Sequence, residues 1–245
     1  LANMPVAPAT VSVVTAEPGE WTPTVDAIGT VSAVRGVELT VETTGIVSEV
    51  DFTANQQVDA QQALLRLDDA VQRADLEAAR TQAALDRQTL DRVRELQNRG
   101  VGSTSALDQA SAAAASSQAQ VAKLEAVLQQ KQLRAPFAGT IGIPRVDAGQ
   151  FIQPGTIVAT LQDLSTMRAD FTVPEQQLGL LEIGQTITVT VDGLEGDFNG
   201  KVTGIDPRVD PASRLVSVRA AIDNPEGRLT PGQFARIHVE LPQED

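Results

Sequence analysis

The strongest periodic signal lies in the middle of the chain. From Ala70 to Arg99, Leu76, Ala79, Ala83, Leu90 and Val93 recur at alternating steps of three and four residues, with Asp86 the one break. From Ser105 to Gln132 the repeat is stricter: Leu107, Ala110, Ala114, Ser117, Val121, Leu124 and Leu128. A seam of this period is the heptad signature of helices that pack side by side, and it predicts two helices zipped antiparallel. Each runs ~30 residues, or about 45 Å at 1.5 Å per residue. Between them lie Gly100 and Gly102, and a helix commonly stops at a glycine able to adopt positive φ. After the second helix, Pro136 disfavours helical geometry in the residue before it.

On both sides of this segment the period changes to two. Residues 45–69, "GIVSEVDFTANQQVDAQQALLRLDD", align without a gap on residues 139–163, "GTIGIPRVDAGQFIQPGTIVATLQD". Gly45 matches Gly139, Ala54 Ala148, Gln56 Gln150, Leu67 Leu161 and Asp69 Asp163, while Val47/Ile141, Phe52/Val146, Val58/Ile152 and Leu64/Val158 keep apolar character. Each half reads as short strands joined by Gly, Asn, Asp and Pro turns, and two such halves close into one small sandwich. From Thr166 to Leu241, "TITVTVDG", "GKVTGI", "LVSVRAAID" and "FARIHVEL" alternate apolar and polar positions and predict a small β-barrel. "GTVSAVRG" adds a strand to it, and "PEQQLGLL" a short helix with proline in its first turn. The fold class is therefore mainly β with one long α-helical hairpin.

Composition narrows the function. Aromatic residues make up 3% of the 245 and tyrosine is absent, which favours several small modules over one thick core. A formal charge of -13 with three lysines argues against nucleic acid, whose binding needs clustered positive charge, and points to protein partners. The absence of cysteine excludes disulfides, thiolate metal sites and cysteine nucleophiles from this chain. No apolar run approaches the ~18 residues of a membrane-spanning helix, and "LANMPVAPAT" reads as a tether. An export signal or anchor is expected outside this sequence.

No catalytic, metal-binding or cofactor-binding residue is predicted. The lone His238 falls in the apparent last strand and has no histidine partner for a metal. Asp68 and Asp69 fit a helix start, where negative charge complements the dipole. Trp21 reads as a packing residue, and Met4 and Met167 are too few for methionine-based metal delivery. Arg73, Arg80, Arg87 and Arg94 stand seven residues apart beside the first helix's seam. They either form local pairs, such as Glu77 with Arg80 and Arg87 with Asp91, or meet acidic or polar groups on a neighbouring copy.

The order of these pieces, with "LRAPFAGTIG", "MRADFTVPEQQLGLLEIGQ", "GIDPRVDPASRLVSVRAAIDN" and "GRLTPGQFARIHVEL", resembles the periplasmic adaptors, or membrane fusion proteins, of tripartite resistance-nodulation-division efflux pumps. The resemblance implies an elongated multi-module chain: a split lipoyl-like sandwich, an antiparallel coiled-coil hairpin inserted between its halves, and a small β-barrel. The expected boundaries are 1–27 for a tether and part of a membrane-proximal region, and 28–36 plus 165–241 for the barrel. The lipoyl-like domain takes 37–68 plus 135–164, and the hairpin 69–134. The membrane-proximal domain is expected to be incomplete, because the sequence stops at "VELPQED", soon after the barrel's last strand.

In these adaptors an arginine, a leucine four residues on and a serine seven beyond that form the tip that meets the outer-membrane channel. Arg92, Leu96 and Ser103 stand at that spacing, followed by Asp108, Gln109 and Ala110. Arg92 brings a charge-assisted donor and Leu96 an apolar contact, while Ser103 either meets the channel or only caps helix two. The resemblance implies no cofactor. Its implied partners are an inner-membrane transporter, an outer-membrane channel and further copies of the chain, as a hexamer or trimer of dimers. The expected location is the periplasm of a Gram-negative bacterium, attached to the inner membrane through a segment not present here. Two alternatives remain: an adaptor of a type I secretion system or ATP-driven exporter, and a lipoyl or biotinyl carrier. The carrier needs a lysine at an exposed hairpin turn, where Lys123, Lys131 and Lys201 do not fall.

Overall fold

The computed structural model describes residues 24–241. Most of the predicted tether at 1–27, with Met4 and Trp21, lies outside them. In chain order the elements are β1 (Thr24–Thr40), β2 (Gly45–Val50), β3 (Gln57–Val58), β4 (Ala63–Leu67), α1 (Ala70–Asn98), α2 (Thr104–Gln129), β5 (Gln132–Arg134), β6 (Gly139–Ile141) and β7 (Phe151–Ile152). They continue with β8 (Ile157–Pro174), a 3₁₀ helix (Glu175–Leu180), β9 (Thr186–Val191), β10 (Phe198–Val209), β11 (Leu215–Asp223) and β12 (Phe234–Glu240). The predicted short helix is thus 3₁₀, with Pro174 at its N-cap. Contacts group the chain into two units. One holds the described residues up to Thr30 with Ala169–Ile222 and those from Phe234 onward; the other holds Val31–Arg168 and Asp223–Gln233.

In the second unit the sequence repeat becomes a pseudo-two-fold. β2 pairs with β7 through Gly45↔Ile152 and Ile46↔Phe151. The repeat-equivalent strands β6 and β3 pair at the equivalent positions, Gly139↔Val58 and Thr140↔Gln57. Val47↔Leu67 in β2–β4 likewise matches Ile141↔Leu161 in β6–β8. Each half therefore lends its first strand to the other half's second, so neither sheet closes without both. The core between them is Val47, Phe52, Val58, Leu64, Leu67, Ile141, Val146, Ile152, Val158 and Leu161, all buried. These are the positions whose apolar character the two halves share.

The Gln56/Gln150 match between the two halves has a local cause. In the turns Thr53–Gln56, Asp59–Gln62, Asp147–Gln150 and Gln153–Thr156 the fourth residue's N–H donates to the first residue's carbonyl. The fourth side chain also accepts the first residue's N–H, through Oε1 of Gln56, Gln62 and Gln150 and Oγ1 of Thr156, at 2.9–3.2 Å. The third residue has positive φ each time: Asn55, Gln61, Gly149 and Gly155. That is the torsion a type II turn requires. Glu182–Gln185 and Thr230–Gln233 repeat the same device.

In the first unit the hydrogen-bonded order β1-β12-β9-β10-β11-β8 closes through a further β1–β8 pairing. Alternate residues face inward as the period predicts: Ile187, Val189 and Val191 on β9, Val216, Val218, Ala220 and Ile222 on β11, Ala235, Ile237 and Val239 on β12 are buried. At the closure a Cβ on Gly29 would sit 2.6 Å from the Asp170 carbonyl oxygen, so only glycine admits the approach.

Candidate functional site

The hairpin seam follows the predicted register. Leu76 and Leu90 on α1 and Ala110 and Val121 on α2 are buried. Ala79, Ala83 and Val93, with Leu107, Ala114, Ser117, Leu124 and Leu128 opposite, are half-buried. Asp86 also lies in the seam, half-buried, where its Oδ1 accepts a 2.9 Å hydrogen bond from Gln82 Nε2. At 29 residues α1 extends about 43 Å.

Its far end is a Schellman motif. Arg99 is the C-cap, Gly100 N–H donates to the Gln97 carbonyl at 2.9 Å and Val101 N–H to that of Leu96 at 3.1 Å. The motif needs positive φ at Gly100, which has +80°. Gly102 has a different reason to be glycine: its Cβ would lie 2.6 Å from Gln97 N and 2.7 Å from Gln97 Cα. Chain direction thus reverses at one glycine, and the returning backbone presses against α1 at the other. Helix termination accounts for Gly100 and not for Gly102, whose demand is steric.

The structure places Arg92, Leu96 and Ser103 as follows. Arg92 and Leu96 lie one helical turn apart, both exposed. Ser103 is the N-cap of α2, with extended torsions and its carbonyl accepting the Leu107 N–H, but its side chain makes no capping hydrogen bond. Asp108 and Gln109 are exposed on the first turns of α2, and Ala110 enters the seam. The fold back at Gly102 brings the serine's segment against the turn that carries Leu96.

Charge sets Arg92 apart. Arg73 grips Asp69 at 2.7 and 2.9 Å, which holds that carboxyl below its ordinary value, first through the hydrogen bond and further through the charge. Arg80 bridges Glu77 at 2.9 Å and, across the hairpin, Glu125 at 2.8 Å. Arg87 and Arg94 share Asp91, each at 3.7 Å, and Arg99 pairs with Glu95. The local pairs of the stripe are therefore present, with Glu125 an additional partner from the second helix. Among the described residues Arg92 has no ion pair or side-chain hydrogen bond. Sequence reasoning missed Val101, 74% exposed beside Leu96 at 44%. An apolar residue between two glycines of a polar turn was the signal available.

His238, the three lysines and the residues of the loop motifs take the following places in the fold. His238 Nδ1 lies 2.7 Å from Asp26 Oδ1 across the β1–β12 pair. Lys123 is on α2, Lys201 in β10, and Lys131, buried at the hairpin root, donates to the Thr44 carbonyl at 2.9 Å. In "LRAPFAG" Arg134 donates to the Gln61 carbonyl at 2.8 Å, Ala135 is buried, and Phe137 lies under Arg35, 5.1 Å from ring centre to guanidinium. In "DPAS" the Asp210 carboxylate accepts the Ala212 and Ser213 N–H groups, both at 2.9 Å. No helix among the described residues is long and apolar enough to cross a membrane.

Two family models match the chain: the barrel-sandwich hybrid domain of resistance-nodulation-division membrane fusion proteins over residues 35–162, and a CusB-like beta-barrel domain over 169–243. An uncharacterized protein of Haemophilus influenzae is 34% identical over all of this chain and 64% of its own length. The multidrug resistance protein MdtA of Proteus mirabilis is 27% identical over 87% of this chain and 57% of its own length. The chain therefore spans about three-fifths of these relatives. A crystallised MacA–MexA chimera carrying the Pseudomonas aeruginosa MexA alpha-hairpin shares the fold, with a TM-score of 0.81 at 22% identity over 91% of this chain and 84% of its own.

Proposed function

The chain belongs to the membrane fusion protein family of resistance-nodulation-division systems, and from that premise we propose that it acts as a periplasmic adaptor between an inner-membrane transporter and an outer-membrane channel. In this reading several copies form a ring. The hairpin points its tip at the channel; its expected span of 69–134 ends earlier, because Gln132–Arg134 form β5 and pair with β4. The barrel, 28–36 plus 165–241, faces the transporter. The lipoyl-like sandwich, 37–68 plus 135–164, carries the hairpin between them. The ring seals the export conduit and passes conformational change from one membrane protein to the other. That work needs contacts and hinges, not bond chemistry.

The observation that carries the reading is the state of the tip. Arg92 is an exposed guanidinium with no acidic partner among the described residues, on a helix whose other arginines are all paired. One turn on stands an exposed leucine, and the N-cap of α2 carries a serine hydroxyl that caps nothing. A charge-assisted donor, an apolar contact and a free hydroxyl suit a partner surface of carbonyl and carboxylate acceptors. Arg92→Asp and Ser103→Arg are expected to abolish association with the channel and efflux, with helical circular dichroism unchanged. Normal efflux in both variants refutes the tip assignment.

The arginine stripe has a place in the same proposal. Arg73, Arg80, Arg87 and Arg94 are all exposed, so their local partners are exchangeable for groups on an adjacent hairpin. Charge reversal at Arg80 and Arg87 should weaken self-assembly while leaving helicity intact; unaltered assembly removes the stripe from the interface.

A further inference from the structure

In a Schellman motif the residue after the positive-φ glycine commonly packs on the residue three before the cap. Here those two residues are Val101 and Leu96, yet Val101 remains 74% exposed and Leu96 44%. Their surroundings explain why. Gly100 has nothing within 4 Å of a hypothetical Cβ, so the turn is open on that side, while Gly102 is held against the Gln97 backbone. The chain is thus pinned on either side of Val101 by its hydrogen bond to Leu96 and by the Gly102 contact. The valine side chain is presented outward on a backbone held by these two contacts.

We propose that Val101 is the leading apolar contact of the hairpin tip, and that the tip fits a protein partner offering an apolar recess rimmed by hydrogen-bond acceptors. This rests on the adaptor reading, in which that partner is the end of the outer-membrane channel. The charge pattern selects such a partner: the unpaired Arg92 one turn behind Leu96 requires acceptors at the rim of whatever receives the valine. A second copy of the tip is a poor occupant, because it presents another apolar knob and another arginine.

The experiment measures binding of the purified chain to the outer-membrane channel encoded in the same genome, held in nanodiscs, by surface plasmon resonance. Val101→Ser should weaken binding about tenfold, the loss expected for one exposed apolar side chain that becomes buried. Val101→Ile should stay within about threefold of wild type, since the larger side chain keeps the apolar contact. Val101 lies outside both helices, so circular dichroism should not change in either variant. Wild-type binding by Val101→Ser together with loss in Arg92→Asp overturns the role of Val101 and leaves the adaptor reading standing. Wild-type binding by both variants overturns both. Sedimentation of the chain alone checks the other occupant: self-association that Val101→Ser abolishes assigns the valine to a second copy and overturns the proposal.

Discussion

The two glycines of the tip should respond to the same substitution in different ways. Gly100→Ala introduces a side chain at φ +80° with no atom within 4 Å to meet it, so its cost is torsional alone. A non-glycine residue in this region costs roughly 1–2 kcal/mol, part of which the stiffer unfolded chain returns, leaving about 1 kcal/mol. At about 1.4 kcal/mol per factor of ten, this opens the motif about fivefold more often. Gly102→Ala is different. Its Cβ begins 2.6 Å from a backbone nitrogen where ordinary contact starts at 3.4 Å, so the backbone must withdraw by several tenths of an ångström. The 3.1 Å Val101 N–Leu96 O bond has little room to lengthen before it is lost. Amide hydrogen exchange followed by NMR reads both. Gly100→Ala should lower protection at Gly100 and Val101 about fivefold, Gly100→Asn by less because asparagine tolerates left-handed torsions, and Gly102→Ala should lower it at Val101 by more than either. Equal protection at Val101 in Gly102→Ala and wild type would refute the steric reason given for that glycine.

Three further outcomes follow from the packing. Leu90→Ala removes one of the two buried leucines of α1 and should cost about 2–3 kcal/mol, seen as earlier thermal loss of helical signal; an unchanged melt contradicts the seam. Gln61→Gly relieves a positive φ of 66° at a side chain with no hydrogen bond of its own among the described residues, and should raise the denaturant midpoint by up to about 1 kcal/mol in stability. Asp163 has its carboxyl held below the ordinary range, first by the Ser165 hydroxyl at 2.6 Å and then by Arg35 at 2.6 Å. A lowered folded-state pKa means this stabilisation is present above the ordinary carboxylate value near about 4 and is lost as pH falls through the folded value. Asp163→Asn should therefore reduce stability at neutral pH and flatten the decline below about pH 4, and an acid limb identical to wild type counts against the pairing.

Most of the architecture was legible because its signals are local and repeated. The heptad positions from Leu107 to Leu128 fall on the seam, and the predicted barrel strands keep their inward residues. The local pairs Glu77–Arg80 and Arg87–Asp91 also form. What was less legible concerns contacts whose partner is distant in sequence or whose effect depends on free space. Arg80–Glu125 joins two helices, and His238–Asp26 joins the two ends of the described chain. Val101 could be named as apolar from its letter, but not as exposed.

At the tip the division is plain. Gly100 could be read from the chain alone, because the torsional freedom of glycine acts over a few residues, whereas Arg92, Leu96 and Ser103 were marked by the family resemblance. The steric need for Gly102, the missing cap bond of Ser103, the unpaired state of Arg92 and the outward position of Val101 were decided only when the backbone folded back on α1. The same holds for the sandwich. Its two halves announce their likeness in sequence, but the exchange of strands between them comes from the tertiary structure, since backbone hydrogen bonds carry no record in the side chains of which strand will receive them.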